Sequence, residues 1–181
     1  PLGPQVAHLP MLLTETDTEK PVLQGHLARA NPLLEALTTP QSAMALFHGP
    51  AAYVSPGWYA SKTQDSRVVP TWNYAVVHVS GLLSANDDSE WLQALIVALT
   101  DRQEARQSKP WAVTDAPPDY IDRLTQHIVG VELTIEDVIG KWKLSQNRSA
   151  EDRASVRHGL MQSGDPASQS LAALMAGIEA E

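Results

Sequence analysis

The segment Val69–Ala85, VPTWNYAVVHVSGLLSA, decides how this chain of 181 residues is expected to fold. It contains no Asp, Glu, Lys or Arg, and its valines and leucines fall on both alternating faces. A strand that is apolar on both faces must be covered on both. The pattern therefore predicts a long strand inside a sheet or at a subunit interface. Pro70, Asn73, His78 and Gly81 interrupt the run, which argues against a membrane-spanning helix.

Patterns on either side of this strand predict a mixture of strands and helices. Asp87 and Glu90 resemble a capping box, and the apolar spacing after them predicts a helix over 88–106. The order of the elements favours an α+β fold in one domain, residues 1–181, with the sheet in about 1–147 and helices over 148–181. The other predicted elements are strands at Gln5–Leu13, Pro21–Ala28 and Ser42–His48, a turn at Thr14–Lys20, a short helix ending near Leu37, a loop at Gly49–Thr63, a helix at Pro118–Ile128, and a strand from Val131 with a bulge or bend near Asp137.

Composition excludes several classes of function. The chain carries 13 Lys and Arg against 21 Asp and Glu, a net charge of −8, which opposes a role in coating nucleic acid. It has no cysteine, so disulfides, thiolate metal sites and thiol nucleophiles are excluded. Its start lacks a basic and apolar leader, and these features together suggest a cytoplasmic protein. No catalytic motif is found, and the six histidines show no metal-ligand spacing.

A candidate anion site lies in the segment Gly25–Pro32. Arg29 and Asn31 stand where a predicted strand passes into a helix, and a guanidinium beside free backbone N–H groups would hold a phosphate. The same residues are equally consistent with a surface ion pair formed by Arg29 and a helix cap formed by Asn31.

A second set of candidates is rich in aromatic side chains. Ala52–Tyr59 is followed by Lys62 and then by Val69–Tyr74, and planar aromatics beside Thr, Asn and Lys can hold a conjugated ring. An aromatic core is the alternative interpretation. The basic run Gly140–Arg148 is a third candidate, for which a solvated strand end is the alternative.

Five strings in these regions resemble the PaiB-like family, described as FMN-binding negative transcriptional regulators. The resemblance runs in order from about residue 5 to 175. It implies an FMN-binding antiparallel split β-barrel, similar to pyridoxamine-phosphate oxidases, in a homodimer with flavin at the subunit interface. Family members carry an N-terminal helix and first barrel strand, of which we expect only a remnant at residues 1–4. The strings are GHLARANP (25–32), GPAAYVSPGWY (49–59), VPTWNYAVVHVSG (69–81), PWAVTDAP (110–117) and GKWKLSQNRS (140–149).

The resemblance also implies which side chains would bind FMN. The phosphate candidates are Arg29, Asn31 and Lys62. The ring-edge candidates are Thr71, Trp72 and Asn73, and His8 is placed on the strand beneath the ring. At the far rim the resemblance places Lys141, Lys143 and Gln146.

We therefore expect a homodimeric, flavin-sensing or indirect regulator, with Val69–Ala85 as the place of dimer contact. A flavin-dependent oxidoreductase or flavin reductase acting on a small molecule is the alternative, in which the cofactor supplies the chemistry. Direct DNA binding is not expected, because Glu151 and Asp152 interrupt the arginines of the C-terminal helices and no recognition helix is evident.

Overall fold

Five strands and five α-helices make up the part of the chain that the computed structural model describes, residues 3–15 and 20–178. The strands are β1 Leu12–Thr14, β2 Val22–Ala28, β3 Gln41–Val54, β4 Thr71–Asn86 and β5 Ile128–Lys143. The α-helices are α1 Leu33–Ala36, α2 Ser89–Glu104, α3 Pro118–Thr125, α4 Ala150–Gln162 and α5 Pro166–Ile178. Three short 3₁₀ helices lie at Pro56–Trp58, Ala60–Thr63 and Val113–Asp115.

The strands form one sheet in the order β1-β2-β5-β4-β3. β2 pairs antiparallel with β5 along its whole length, from Val22 opposite Thr134 to Ala28 opposite Ile128. The predicted α+β class with an antiparallel sheet and peripheral helices is confirmed. Among the described residues, no helix is long and apolar enough to cross a bilayer.

The chain divides into two compact units. The first comprises residues 1–45 and 79–137, and the second comprises residues 46–78 and 138–181. β3, β4 and β5 contribute residues to both units. The sequence-based assignment of a single domain stays a prediction.

The core of the first unit forms where β2 alternates between buried and half-buried side chains. Leu27 packs with Leu37 and Val131, and Ala7 and Leu9 cover the cluster. Alternation of this kind arises because successive strand side chains point to opposite faces.

A close contact between strands occurs at Gly81, also in the first unit. A Cβ atom on Gly81 would lie 1.9 Å from the backbone oxygen of Thr134 in β5. Only a residue without a side chain allows the backbones to approach this closely.

Helices α4 and α5 enclose the core of the second unit. The fully buried side chains Val156, Leu160 and Leu171 pack against Val54 at the end of β3. Asp152 is also buried, and its carboxylate accepts hydrogen bonds from the backbone N–H and the hydroxyl of Ser61, each at 2.9 Å. These bonds satisfy a charge that would otherwise be costly to bury.

The helices and the central strand lie close to their predicted positions. The helix predicted over 88–106 is Ser89–Glu104, and the strand predicted over 69–85 is Thr71–Asn86. The helix predicted from Pro118 ends at Thr125, and β5 runs as one strand past Asp137. The turn predicted at Thr14–Lys20 lies partly outside the described residues.

Two strand predictions are wrong in length. Only Leu12 and Leu13 of the strand predicted at Gln5–Leu13 pair with β2, whereas Leu9, Pro10 and Met11 pack beside Gly25. β3 continues past His48 through Pro50 to Val54, so the first third of the predicted loop is strand. A proline is accepted there because β3 is an edge strand, where one side needs no N–H donor.

Candidate functional site

An exposed face of the second unit carries aromatic and cationic side chains on three neighbouring strands. We name Tyr53 of β3, Trp72 and Tyr74 of β4, and Lys141 and Lys143 of β5 the aromatic–lysine face. Trp72 is 57% exposed and Tyr53 is 46% exposed, and their rings meet edge to face with centroids 6.3 Å apart. The face follows from strand alternation, because i and i+2 side chains share one side of a strand.

The two lysines of this face make weak or neutral contacts. Lys143 Nζ donates a 2.6 Å hydrogen bond to the hydroxyl of Thr71, and Lys141 Nζ lies 5.9 Å from the centre of the Tyr74 ring. Within residues 3–15 and 20–178, neither ammonium group pairs with a carboxylate. Both charges are therefore available to an anion.

Asn73 lies on the opposite side of β4 and supports the face from beneath. It is 1% exposed, its Nδ2 donates a 2.9 Å hydrogen bond to Ser145 Oγ, and its Oδ1 is buried without a partner. Ser145 has φ 63°, in the left-handed region that non-glycine residues rarely adopt. The pair thus holds the turn that follows Lys143.

Gln146 belongs to the same turn and does not reach the face. Its Oε1 accepts from the backbone N–H of Leu144 at 2.8 Å, and its Nε2 donates to the carbonyl of Trp142 at 2.6 Å. Lys62 is exposed on the 3₁₀ helix Ala60–Thr63, and no hydrogen bond or ion pair joins its side chain to another described residue.

Arg29, in the first unit, is fully engaged by protein groups. Its Nη1 donates to Asp87 at 3.0 Å, while Nε and Nη2 donate to the carbonyls of Gln126 and Ile128, each at 3.0 Å. The hydrogen bond with Arg29 lowers the pKa of Asp87 and raises the pKa of Arg29. A phosphate bound here would have to displace the Asp87 carboxylate.

Asn31 lies just before a helix in the same unit, whose N-cap residue is Pro32. Its Oδ1 accepts a 2.9 Å hydrogen bond from the backbone N–H of Leu33 at the start of α1. The ion pair of Arg29 is the structural alternative that the sequence left open, and Asn31 serves the start of the helix from one position before the expected cap.

His8 and Asn31 line an open groove of about 620 Å³ in the first unit together with His26. The Nδ1 atom of His26 is buried without a partner, and burial lowers the pKa of this imidazole. His26 is therefore neutral at pH 7, and no lining residue has a formal charge. The groove lacks the cation that a phosphate monoester needs. It is lined by Val6, Ala7, His8, Leu9, Pro10, His26, Leu27, Ala28, Asn31 and Ile128.

The aromatic–lysine face and the groove fit different ligands. An exposed indole, two unpaired ammonium groups and the Thr71 hydroxyl suit a flat molecule that carries a phosphate. Among the described residues, no cluster of three or more His, Asp or Glu side chains could hold a metal ion.

Comparison with known proteins identifies the family of the chain. The family model described as "Putative FMN-binding domain" matches residues 1–137. The chain belongs to this FMN-binding family.

Two relatives of this FMN-binding protein match across nearly all of the chain. An uncharacterized protein of Emericella nidulans, AN0679, is 35% identical in an alignment of 205 positions that spans 95% of the chain and 82% of the relative. Protease synthase and sporulation protein PAI 2 of Bacillus subtilis is 30% identical over 172 residues, which cover 95% of the chain and 80% of the relative. The suspected PaiB-like family is confirmed, and with it FMN as cofactor.

A solved FAD and heme binding protein from Mycobacterium smegmatis is also similar, at 14% identity and a TM-score of 0.44. That match covers 80% of this chain and 63% of the other.

The structure brings together only part of the predicted set for this FMN-binding protein. Lys143 contacts Thr71, Trp72 exposes its indole on β4, and Asn73 is buried on the side of β4 opposite Trp72. His8, Arg29 and Asn31 fall in the other unit.

Sequence reasoning did not single out Tyr53 and Tyr74 as members of this face. The available signal was the alternation of each tyrosine with buried neighbours. Tyr53 stands between Ala52 and Val54, and Tyr74 stands between Asn73 and Ala75.

Proposed function

We propose that this chain is a homodimeric, flavin-sensing protein that binds FMN at the aromatic–lysine face and regulates gene expression indirectly. The observation that carries the proposal is that Lys141 and Lys143 of β5 pair with no described carboxylate, while Trp72 of the neighbouring strand β4 exposes its indole. An anionic phosphate and a flat conjugated ring need this combination of groups.

Three residues of the face have distinct roles in binding. FMN would supply the conjugated, redox-active ring when it is bound. Trp72 would offer a planar apolar surface to that ring, and Tyr53 restrains the indole through the edge contact at 6.3 Å. Lys143, whose Nζ lies 2.6 Å from the Thr71 hydroxyl, would hold the phosphate, and that hydroxyl would be a further donor to the ligand.

Indirect regulation agrees with the surroundings of the C-terminal arginines. The guanidinium of Arg148 lies 4.7 Å from the centre of the Tyr59 ring, and Arg153 Nη1 donates to the carbonyl of Arg148 at 2.8 Å. Both guanidinium groups already contact protein groups of the second unit. The net charge of −8 opposes association with the phosphate backbone of nucleic acid. The Bacillus relative is named for protease synthesis and sporulation, which fits a regulatory role rather than a metabolic one.

The test combines the absorbance spectrum of freshly purified protein, titration calorimetry with FMN, and solution mass by light scattering. We expect saturable FMN binding and about twice the 19.7 kDa chain mass. An absence of FMN binding refutes the cofactor site, and a single-chain mass refutes the dimer.

Two further measurements separate this proposal from its competitors. Rapid, saturable oxidation of NAD(P)H by the FMN-loaded protein assigns a flavin-dependent oxidoreductase instead. A salt-dependent, sequence-preferring shift of promoter DNA contradicts indirect regulation.

A further inference from the structure

The buried contact between Asn73 and Ser145 carries two features that are unfavourable for stability. The Oδ1 atom of Asn73 is a buried acceptor without a hydrogen-bond partner among the described residues. Within the part of the chain that the structure describes, Ser145 is the one non-glycine residue with a positive φ. An apolar side chain at position 73 and a glycine at position 145 would avoid both costs. Features of this kind persist where a site requires them, so the contact points to a role beyond stability.

The contact lies next to the lysine that is proposed to hold phosphate. Two side-chain hydrogen bonds join the start of β4 to the end of β5. Lys143 Nζ donates to the Thr71 hydroxyl at 2.6 Å in an exposed position, and Asn73 Nδ2 donates to Ser145 Oγ at 2.9 Å in a buried one. Water competes with the exposed bond and is excluded from the buried bond. The buried bond is therefore the one that holds the backbone beside Lys143 in place.

The end of β5 is otherwise held by local contacts. The side chain of Gln146 accepts from the backbone N–H of Leu144 at 2.8 Å and donates to the carbonyl of Trp142 at 2.6 Å. These bonds close the turn on itself. The bond from Asn73 to Ser145 joins this closed turn to β4.

We infer that Asn73 is a positioning residue that acts through Ser145 to fix Lys143 where it meets the phosphate of a phosphorylated flavin. This inference rests on the proposed function and deepens it. Asn73 itself does not touch the ligand, because it is 1% exposed and lies on the side of β4 opposite Trp72. Its burial separates this role from the contact with the edge of the ring that the resemblance implies.

A fixed ammonium group selects between flavins by charge. FMN carries a phosphate and riboflavin does not, whereas the ring that Trp72 would contact is the same in both. A lysine on a fixed backbone loses less conformational freedom when it binds an anion than one that the ligand must first order. Loss of the bond between Asn73 and Ser145 should therefore weaken the binding of FMN and leave the binding of riboflavin unchanged.

The first test compares Ser145→Ala with Ser168→Ala as the matched control. Both serines are 6% exposed and lie in the second unit, and the hydroxyl of Ser168 donates to Asp165 beside the start of α5 at 2.8 Å. We expect Ser145→Ala to raise the Kd for FMN about 3- to 10-fold and to leave the Kd for riboflavin unchanged, in fluorescence titrations of both flavins. Ser168→Ala should lower the urea midpoint and change neither Kd.

Two results of this comparison overturn the inference. One is a folded Ser145→Ala variant with the wild-type Kd for FMN. The other is an equal loss for both flavins, because a contact that serves stability alone would weaken both. Asn73→Ala should lose the preference for FMN in the same way, and Ser145→Ala decides the question by itself if Asn73→Ala does not fold.

The second test asks whether the effect passes through Lys143. In a Lys143→Met background, Ser145→Ala should not change the Kd for FMN further, because the group that it positions is gone. Additive losses overturn the positioning role.

The wild-type protein distinguishes failure of this inference from failure of the proposed function. A wild type that prefers FMN to riboflavin, with a preference that Ser145→Ala retains, overturns the positioning role and leaves the flavin site standing. A wild type that binds both flavins equally overturns the phosphate contact of Lys143 and this inference with it. A wild type that binds neither flavin refutes the flavin site as well.

Discussion

Replacing Trp72 by alanine should weaken FMN binding about 10- to 30-fold while leaving the fold intact. Trp72 is 57% exposed, which corresponds to roughly 140 Å² of a side chain of about 250 Å². A flat ligand covers one of the two faces of the indole, hence about 70 Å². At about 25 cal/mol per Å² this contact contributes about 1.8 kcal/mol. That free energy corresponds to a change in Kd of roughly 20-fold.

The folding cost of the same substitution should be small, because Trp72 is exposed and makes one ring contact, with Tyr53. An edge-to-face pair contributes about 0.5–1.5 kcal/mol. Titration calorimetry measures Kd, and urea unfolding measures stability.

Trp111→Ala is the matched control. Trp111 is another exposed tryptophan, but it lies in the first unit, outside the aromatic–lysine face and the groove. An unchanged Kd in Trp72→Ala, or an equal loss in Trp111→Ala, would refute the assignment of the flavin ring to Trp72.

Three further outcomes test the site and the fold. Lys143→Met should raise the Kd for FMN about 3- to 10-fold and reduce the dependence of this Kd on salt concentration, because an exposed charge–phosphate contact is lost. A Kd with unaltered salt dependence contradicts the assignment of the phosphate to Lys143. Gly81→Ala should destabilise the protein by about 2–4 kcal/mol in urea unfolding. Gly177→Ala should not, because a Cβ at Gly177 meets no atom within 4 Å. Equal urea midpoints for the two variants would disprove the close strand approach. Asp87→Asn should leave the Kd for FMN unchanged at pH 7, since Arg29 serves the fold, and tighter binding would instead support Arg29 as a phosphate ligand. The pKa of Asp87 is lowered in the folded protein, so its pairing with Arg29 stabilises the protein at pH values above the unfolded carboxyl pKa of about 3.9. The difference in unfolding free energy between wild type and Asp87→Asn should therefore shrink as the pH falls through the lowered pKa of the folded protein.

Local chemistry made the helices and the central strand predictable. Asp88 caps α2 by accepting from the Trp91 backbone N–H at 2.8 Å, and the predicted start was one residue away. Ser149, at the start of the predicted C-terminal helices, caps α4 by accepting from the N–H of Asp152 at 3.1 Å. A cap and an apolar period involve residues a few positions apart, so a single sequence contains the information they need.

The lengths of β1 and β3 depended on partners that the local pattern does not reveal. The alternation up to Leu13 is strand-like, but only Leu12 and Leu13 of that segment pair with β2. Pro50 argued against a strand, yet its missing donor is harmless at the edge of a sheet. Whether a segment lies at an edge is a property of the whole topology, which the sequence pattern around Pro50 does not contain.

The same limit applies to the candidate site. The resemblance pointed to cations and aromatics, but a cation binds phosphate only if no carboxylate already holds it. Arg29 is paired with Asp87, 58 positions later in the chain, whereas no described carboxylate pairs with Lys143. Spacing within a motif does not reveal such distant pairs. We therefore propose Lys143 rather than Arg29 as the phosphate contact, because the charge of Lys143 is available whereas that of Arg29 is already paired. The Asp87→Asn and Lys143→Met variants measure directly how much each cation contributes to FMN binding.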